Sequence, residues 1–235
     1  MTRMLENIDR SYWWPDVEAD VTNYVKGCPT CQWMKSVCSA KAAPLVPNEI
    51  PSYPWEVISW DLIGPLPPSN GFNAILVIVD RFTKLTHIIP TYTDLTTEEA
   101  AHLLRDHVFQ LHGLPRKIIS DRGPQFLSRF MKEFYHLVGI EGAPSTAFHP
   151  QTNGQTERMN QEIEQYLWLF INFQQSDWAE WLSIAEFSLN DKVSSSTKYS
   201  PFFLNFGLHP RMGREAPLRS PNICAEDFAY SLKHA

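Results

Sequence analysis

Two apolar stretches of strand length each run into an aspartate. Val57-Ile58-Ser59-Trp60 leads to Asp61, and Lys117-Ile118-Ile119-Ser120 leads to Asp121. Short runs rich in β-branched and aromatic residues favour strands, so both carboxylates are expected at strand ends. A third acid, Glu157, stands in His149-Pro150-Gln151-Thr152-Asn153-Gly154-Gln155-Thr156-Glu157-Arg158. Asn153 and Gly154 suit a loop there, and the residues after them suit a helix start. Carboxylates from two strand ends and a helix start can converge on one face of a sheet. Such a cluster suits hard divalent cations such as Mg²⁺. Two cations about 3.5–4 Å apart can clamp the attacking and leaving oxygens of an in-line phosphoryl transfer. Cutting and joining of polynucleotides is therefore the leading expectation.

The surrounding pattern asks for an α/β domain. Apolar stretches at 56–63, 73–79 and 84–89 read as an antiparallel meander, with Asn70-Gly71 as a turn signal and Asp80-Arg81 opening the second turn. Asp80 is expected to serve that turn. Thr96-Thr97-Glu98-Glu99 starts a helix reaching about 112, which Gly113-Leu114-Pro115 ends. A strand at 117–121, a helix near 125–138 and a short strand near 140–145 follow. After a loop over 145–154, helices are expected over 154–172, 177–190 and 201–206. This order gives a mixed sheet with flanking helices and leaves the strand order open. His102, His107 and His112 lie five apart, so they do not share one face of an α-helix and read as surface or helix-packing residues. Tyr12, Trp13, Trp14, Trp178 and Trp181 read as core anchors.

Ahead of this domain, residues 1–38 read as a small helical module. Pro15 suits a helix start, Val17, Val21, Tyr24 and Val25 share a face, and Gly27-Cys28-Pro29 stops the helix. Cys28 and Cys31 form C-x₂-C, a spacing that suits two zinc ligands. No histidine precedes His87, and structural zinc needs about four protein ligands. Bound zinc is therefore not expected, and the segment should be poorly folded or lean on the main domain. Residues 39–54, with Pro44, Pro47, Pro51 and Pro54, read as an extended, unpacked linker. Residues 55–210 form the main domain, and 211–235 a tail with the start of a helix near 222–233. The net charge of −6 argues against a strong nonspecific DNA binder, whose affinity would come from Lys and Arg on phosphates. It does not exclude an acidic active site for DNA. The sequence has no apolar run of membrane-spanning length, no apolar signal-peptide centre and no cysteine framework of a secreted domain. An intracellular protein without a membrane partner is expected.

Four stretches together resemble the integrase of Ty3/Gypsy-type LTR retrotransposons. They are Pro54-Trp55-Glu56-Val57-Ile58-Ser59-Trp60-Asp61, Ser120-Asp121-Arg122-Gly123-Pro124-Gln125-Phe126, residues 148–160 around Glu157, and Ser200-Pro201-Phe202-Phe203-Leu204-Asn205-Phe206-Gly207-Leu208-His209-Pro210. The resemblance covers residues 12–232. Asp121 follows Asp61 by 60 positions, and 35 residues separate Asp121 from Glu157, the interval of the retroviral-type D,D-35-E core. The resemblance implies a ribonuclease H-like fold in which Asp61, Asp121 and Glu157 are catalytic and hold two Mg²⁺ or Mn²⁺ ions. It implies trimming of DNA 3′ ends and their joining to target DNA, with endonuclease activity, by a homo-oligomer on element ends and target DNA. It further implies a parent polyprotein with reverse transcriptase, and action in the nucleus. Gln155, Arg158, Asn160 and Gln161 are the expected DNA contacts. Asn160 and Gln161 share the helical face of Glu157, and Arg158 suits a phosphate. Of the family's His-His-Cys-Cys zinc module only Cys28 and Cys31 are found, so residues 1–38 read as a truncated module. Asn153 stands where the family usually has Asp, and Trp168 where related sequences commonly have Arg. Two other readings stay open. One is a decayed or repurposed fragment that serves only as a nucleic-acid-binding or interaction module. The other is a metal-dependent nuclease that cuts without joining.

Overall fold

The computed structural model describes residues 2–10, 12–29, 50–120, 128–144 and 154–211. Strand β2, Ala74–Asp80, lies inside the sheet, and all seven of its residues are buried. A strand covered on both faces reads as a continuous apolar run, as Ala74-Ile75-Leu76-Val77-Ile78-Val79 does. Strands β1 (Val57–Ile63) and β3 (Thr86–Thr91) pair with it antiparallel, completing the expected meander. β4 (Lys117–Ser120) runs parallel to β1, and β5 (Glu141–Pro144) parallel to β4. The sheet order is β3-β2-β1-β4-β5.

Local chemistry sets the turns. Between β1 and β2, Asn70 (φ 50°) and Gly71 (φ 87°) are both left-handed and are closed by a Ser69–Phe72 bridge. Two positive φ angles are what a type I′ turn requires. Asp80 serves the second turn as expected. Its buried carboxylate accepts N–H bonds from Trp55 (3.1 Å), Phe82 (3.2 Å) and Thr83 (2.9 Å), and the Thr83 hydroxyl at 2.6 Å.

Two short helices come first, α1 (Thr2–Asp9) and α2 (Val17–Gly27). Helix α3 opens at Thr97–Leu104 on a Thr96/Glu99 capping box, widens into a π turn over Arg105–Phe109 and closes on Gln110–His112. α4 (Arg129–Val138), α5 (Gly154–Phe170), α6 (Trp178–Asp191) and α7 (Pro201–Phe206) follow. Alternation along β1 and β2 sorts the core into two layers. Ile58, Trp60, Leu76 and Ile78 pack against Leu104 and Val108 of α3 and Met131 and Tyr135 of α4. Ile63, Ile75, Val77 and Val79 pack against Ile163, Tyr166 and Leu167 of α5 and Leu182, Ala185 and Leu189 of α6. Full burial of one such side chain contributes about 1.5–3 kcal/mol.

The N-terminal segment differs from expectation in its aromatics. Val21 is buried, but Tyr12, Tyr24 and above all Trp13 (81 % exposed) face outward, and Trp14 is half-buried with its indole N–H on Asp20. Two helices of 8 and 11 residues enclose too little apolar volume to bury four large rings. Trp178 is buried in the main core as expected, and Trp181 packs at the edge of the same cluster. The segment leans on the main domain through Arg10, which donates to the Asp191 carboxylate (2.6 Å) and the Asp191 carbonyl (3.1 Å). The expected linker is packed at its end. Pro51 is buried, and Ser52 N–H donates to the Glu56 carboxylate at 2.6 Å. The rest of the expected linker that lies in 39–49, and the tail from 212 on, fall outside the described residues.

Candidate active site

Odd-numbered β1 residues face α5. That face is polar at Ser59 and Asp61 and apolar at Ile63. Thr156, Asn160, Ile163 and Leu167, spaced at helical intervals, form the matching stripe on α5. Its first two members are polar and its last two are buried in the apolar core. Polar meets polar, because the Thr156 hydroxyl donates to Ser59 Oγ at 2.8 Å, with both residues fully buried. One turn later, Asn160 Nδ2 donates to Asp61 Oδ2 at 2.9 Å. Asp61 Oδ1 accepts the Leu62 N–H at 3.0 Å.

Asp61 is half-buried on β1, and Glu157 is exposed in the first turn of α5, so the helix start is brought over the strand that carries Asp61. Asp121 lies outside the described residues, but Ser120 before it pairs with Trp60, the residue before Asp61. Arg158 and Gln161 are exposed on α5. Asn160 turns its amide nitrogen to Asp61, so Oδ1 is what it has left to offer another group. The side chain of Gln155 lies outside the described residues, as do Cys31 and the loop over 145–153. Cys28 is half-buried just past α2.

The donor set fits a hard cation. Asp61 and Glu157 supply carboxylate oxygens, the ligands that Mg²⁺ takes. Asn160 Oδ1 is buried beside Asp61 with no hydrogen-bond partner among the described residues. Buried groups in that condition are uncommon, and a hydrated cation would remove the deficit. Among the described residues no three His, Cys, Asp or Glu side chains form a metal cluster, a set that leaves out Asp121. Cys28 and Cys31 are thiol ligands of the kind structural zinc takes, and Cys31 lies outside the described residues.

A second polar constellation escaped the sequence. His87 on β3 holds Glu186 of α6 through Nδ1 and His112 of α3 through Nε2, each at 2.9 Å. Trp55 stacks on His112 with ring centroids 3.6 Å apart and planes 5° apart, and its indole N–H donates to Asn205. Burial, then the charge of His87, pushes His112 down to about 4, and burial lowers His107 as well. Trp55, His87, His112, Glu186 and Asn205 come from five separate stretches, so no local motif announces them. The π turn over Arg105–Phe109 departs from the regular period that the five-residue spacing argument assumed, and His102 is exposed while His107 and His112 are half-buried.

Comparison with known proteins bears on the family and the fold. Residues 1–37 match the family described as integrase zinc binding domain, and residues 51–150 match the integrase core domain. Over 214 residues, 91 % of the chain, the sequence is 33 % identical to the Transposon Tf2-3 polyprotein of Schizosaccharomyces pombe, and equally to Tf2-4. The chain spans 16 % of the length of those polyproteins. Among solved structures it is similar to a simian T-cell lymphotropic virus intasome in complex with PP2A regulatory subunit B56 gamma. The TM-score is 0.60 at 18 % identity, over 87 % of this chain and 70 % of that chain. It is also similar to the HTLV-2 integrase catalytic core domain in complex with magnesium. There the TM-score is 0.51 at 20 % identity, over 65 % of this chain and 97 % of that one. At such identities the likeness shows the fold, which is ribonuclease H-like.

Proposed function

The chain belongs to the integrases of Ty3/Gypsy-type retrotransposons, and from that premise we propose that its core performs metal-dependent phosphoryl transfer on DNA. In this reading it trims 3′ ends and joins them to target DNA. The observation that carries the proposal is the Asn160–Asp61 hydrogen bond, which holds the turn bearing Glu157 over the strand bearing Asp61. Asp61, Glu157 and Asp121 are the proposed cation ligands, with Mg²⁺ or Mn²⁺ as the ions and two as their number. Bound cations supply charge stabilisation to the attacking and leaving oxygens.

The chain's own residues supply position. Asn160 holds one Asp61 oxygen, so that carboxylate presents a fixed edge. Glu157 stands in the first turn of α5. Arg158 and Gln161 are exposed on the same helix, and in this reading they meet phosphate and sugar, contacts that orient nucleic acid rather than read sequence. Positioning and electrostatics are most of what such a transfer requires. The proposed substrates, paired element ends and chromosomal target, imply an oligomer on DNA acting in the nucleus. The simian T-cell lymphotropic virus intasome, a structural relative, supports the oligomer, and the polyprotein relatives support processing from a longer precursor.

The test is strand transfer from a duplex with a recessed 3′ end into a labelled target, in Mn²⁺ or Mg²⁺. The full chain is compared with its Glu157→Gln variant. Joined product from the wild type and none from the variant is the expected result. Cleavage without joining would replace the proposal with a nuclease. No metal-dependent product from folded wild type would leave a binding module.

A further inference from the structure

We propose that the buried Ser59–Thr156 hydroxyl pair is a positioning device for the cation site, setting the register of α5 on β1 and with it the place of Glu157 relative to Asp61. The inference rests on the reading of Asp61 and Glu157 as cation ligands.

The argument begins with spacing. Thr156 and Asn160 are four residues apart on α5, a rise of about 6 Å. Ser59 and Asp61 are two apart on β1, a rise of about 6.5 Å. The two hydrogen bonds, Thr156 to Ser59 at 2.8 Å and Asn160 to Asp61 at 2.9 Å, therefore match a helical step to a strand step. Two such points fix both translation along the helix and rotation about its axis. The apolar contacts that follow, Ile163 and Leu167 against Ile63 and β2, are less directional, because apolar packing does not depend on the alignment of individual donors and acceptors.

Glu157 is the residue that needs this precision. It follows Thr156 directly, and nothing apolar holds it, because it is exposed. A slip of α5 by one residue would move it about 1.5 Å and rotate it about 100°. A misplacement of about 1 Å is enough to reduce a rate about 10²-fold. Asn160 supplies one of these points, and its partner Asp61 would also be engaged by cations. Ser59 and Thr156 have no such second duty. Both are 0 % exposed, so water does not compete for their bond. The Thr156 hydroxyl, in the first turn of a helix, is directed to the strand.

The experiment is a Mn²⁺ titration of the full chain followed by electron paramagnetic resonance, with urea unfolding run on the same samples. Thr156→Val keeps the shape and removes the hydroxyl. It is expected to weaken Mn²⁺ binding about tenfold, the scale of effect for groups that orient metal ligands. Thr156→Ser, which restores the hydroxyl, is expected to recover most of the loss. Wild-type binding by Thr156→Val, or equal loss in Thr156→Ser, would overturn the proposal. If Thr156→Val fails to fold because Ser59 is left without its buried partner, the Ser59→Ala/Thr156→Val double variant replaces both hydroxyls together. It too should bind Mn²⁺ about tenfold more weakly, and wild-type binding would overturn the proposal. Glu157→Gln separates the two levels of the argument. If it binds Mn²⁺ as wild type does, the cation-site reading itself fails. If it loses binding while Thr156→Val does not, only the positioning role fails.

Discussion

β1 and β2 lie side by side, yet they meet opposite demands. Ser59 of β1 is paired with Val79 of β2, and Asp61 with Val77. At these two levels the same layer holds a valine on one strand and a polar group on its neighbour. β2 is buried throughout and contributes to the core at each apolar position, whereas β1 gives up two positions of one face to polar groups. On the other face of β1, Ile58 and Trp60 are apolar and fully buried, and Leu62 is half-buried against the same cluster. One strand can therefore carry polar groups on one face because its neighbour and its own reverse face provide the burial. Substitutions on β1 at Asp61 should change chemistry with little change in stability, and substitutions on β2 should do the reverse.

The largest effect expected is on Asp61→Asn. Losing several kcal/mol of cation charge stabilisation corresponds to about 10³-fold in strand-transfer rate. Its urea midpoint should stay close to wild type, because the half-buried amide can still bond to Asn160. A large loss of stability would show that Asp61 is structural and break the contrast. Ile75→Ala on β2 is the converse. It should lower stability by about 2–5 kcal/mol through lost burial and a cavity. Strand transfer per folded molecule should then be unchanged, as measured below the new melting transition.

Acid sharpens the contrast at a third place. His112 titrates at about 4 in the folded chain, below its ordinary 6.5. Above pH 6.5 both folded and unfolded forms are neutral, and this part of the stability is intact. As pH falls from 6.5 towards 4, the unfolded chain takes up a proton that the folded one resists, and stability declines. His107 is lowered in the same direction. Because these rings are only half-buried, about 1 kcal/mol is the scale expected. Thermal melts from pH 7.5 to 4.5, compared with His112→Gln, measure it. A variant whose melting temperature declines as steeply as wild type would contradict the assignment. The smallest effect belongs to Arg10→Ala, which removes a partly exposed contact to Asp191. It should reduce stability by about 1 kcal/mol and expose residues 2–29 to faster proteolysis, read by limited digestion.

Much of this was legible in the amino-acid order. Strand and helix existence followed from apolar runs and caps, because residues such as Ile75 to Val79 and the Thr96/Glu99 box state their preferences locally. Strand order was not, since the parallel pairing of β1 with β4 brings together residues 60 positions apart. At the candidate site the carboxylates were visible from their spacing, while the Asn160 and Thr156 contacts needed the helix laid on the strand. Trp13 misled because an aromatic residue is a core anchor only where a core is available. The His87–His112–Glu186 cluster was hidden by distance in sequence and by a π turn that changes the helical period.

The central claim is that Asp61 and Glu157, with Asp121, share divalent cations. Anomalous diffraction from crystals grown with Mn²⁺ tests it most directly. The account predicts manganese peaks at roughly 2.1 Å from carboxylate oxygens of Asp61 and Glu157, with Asn160 still on the other Asp61 oxygen. Manganese bound elsewhere, with Asp61 and Glu157 on no common ion, would contradict it.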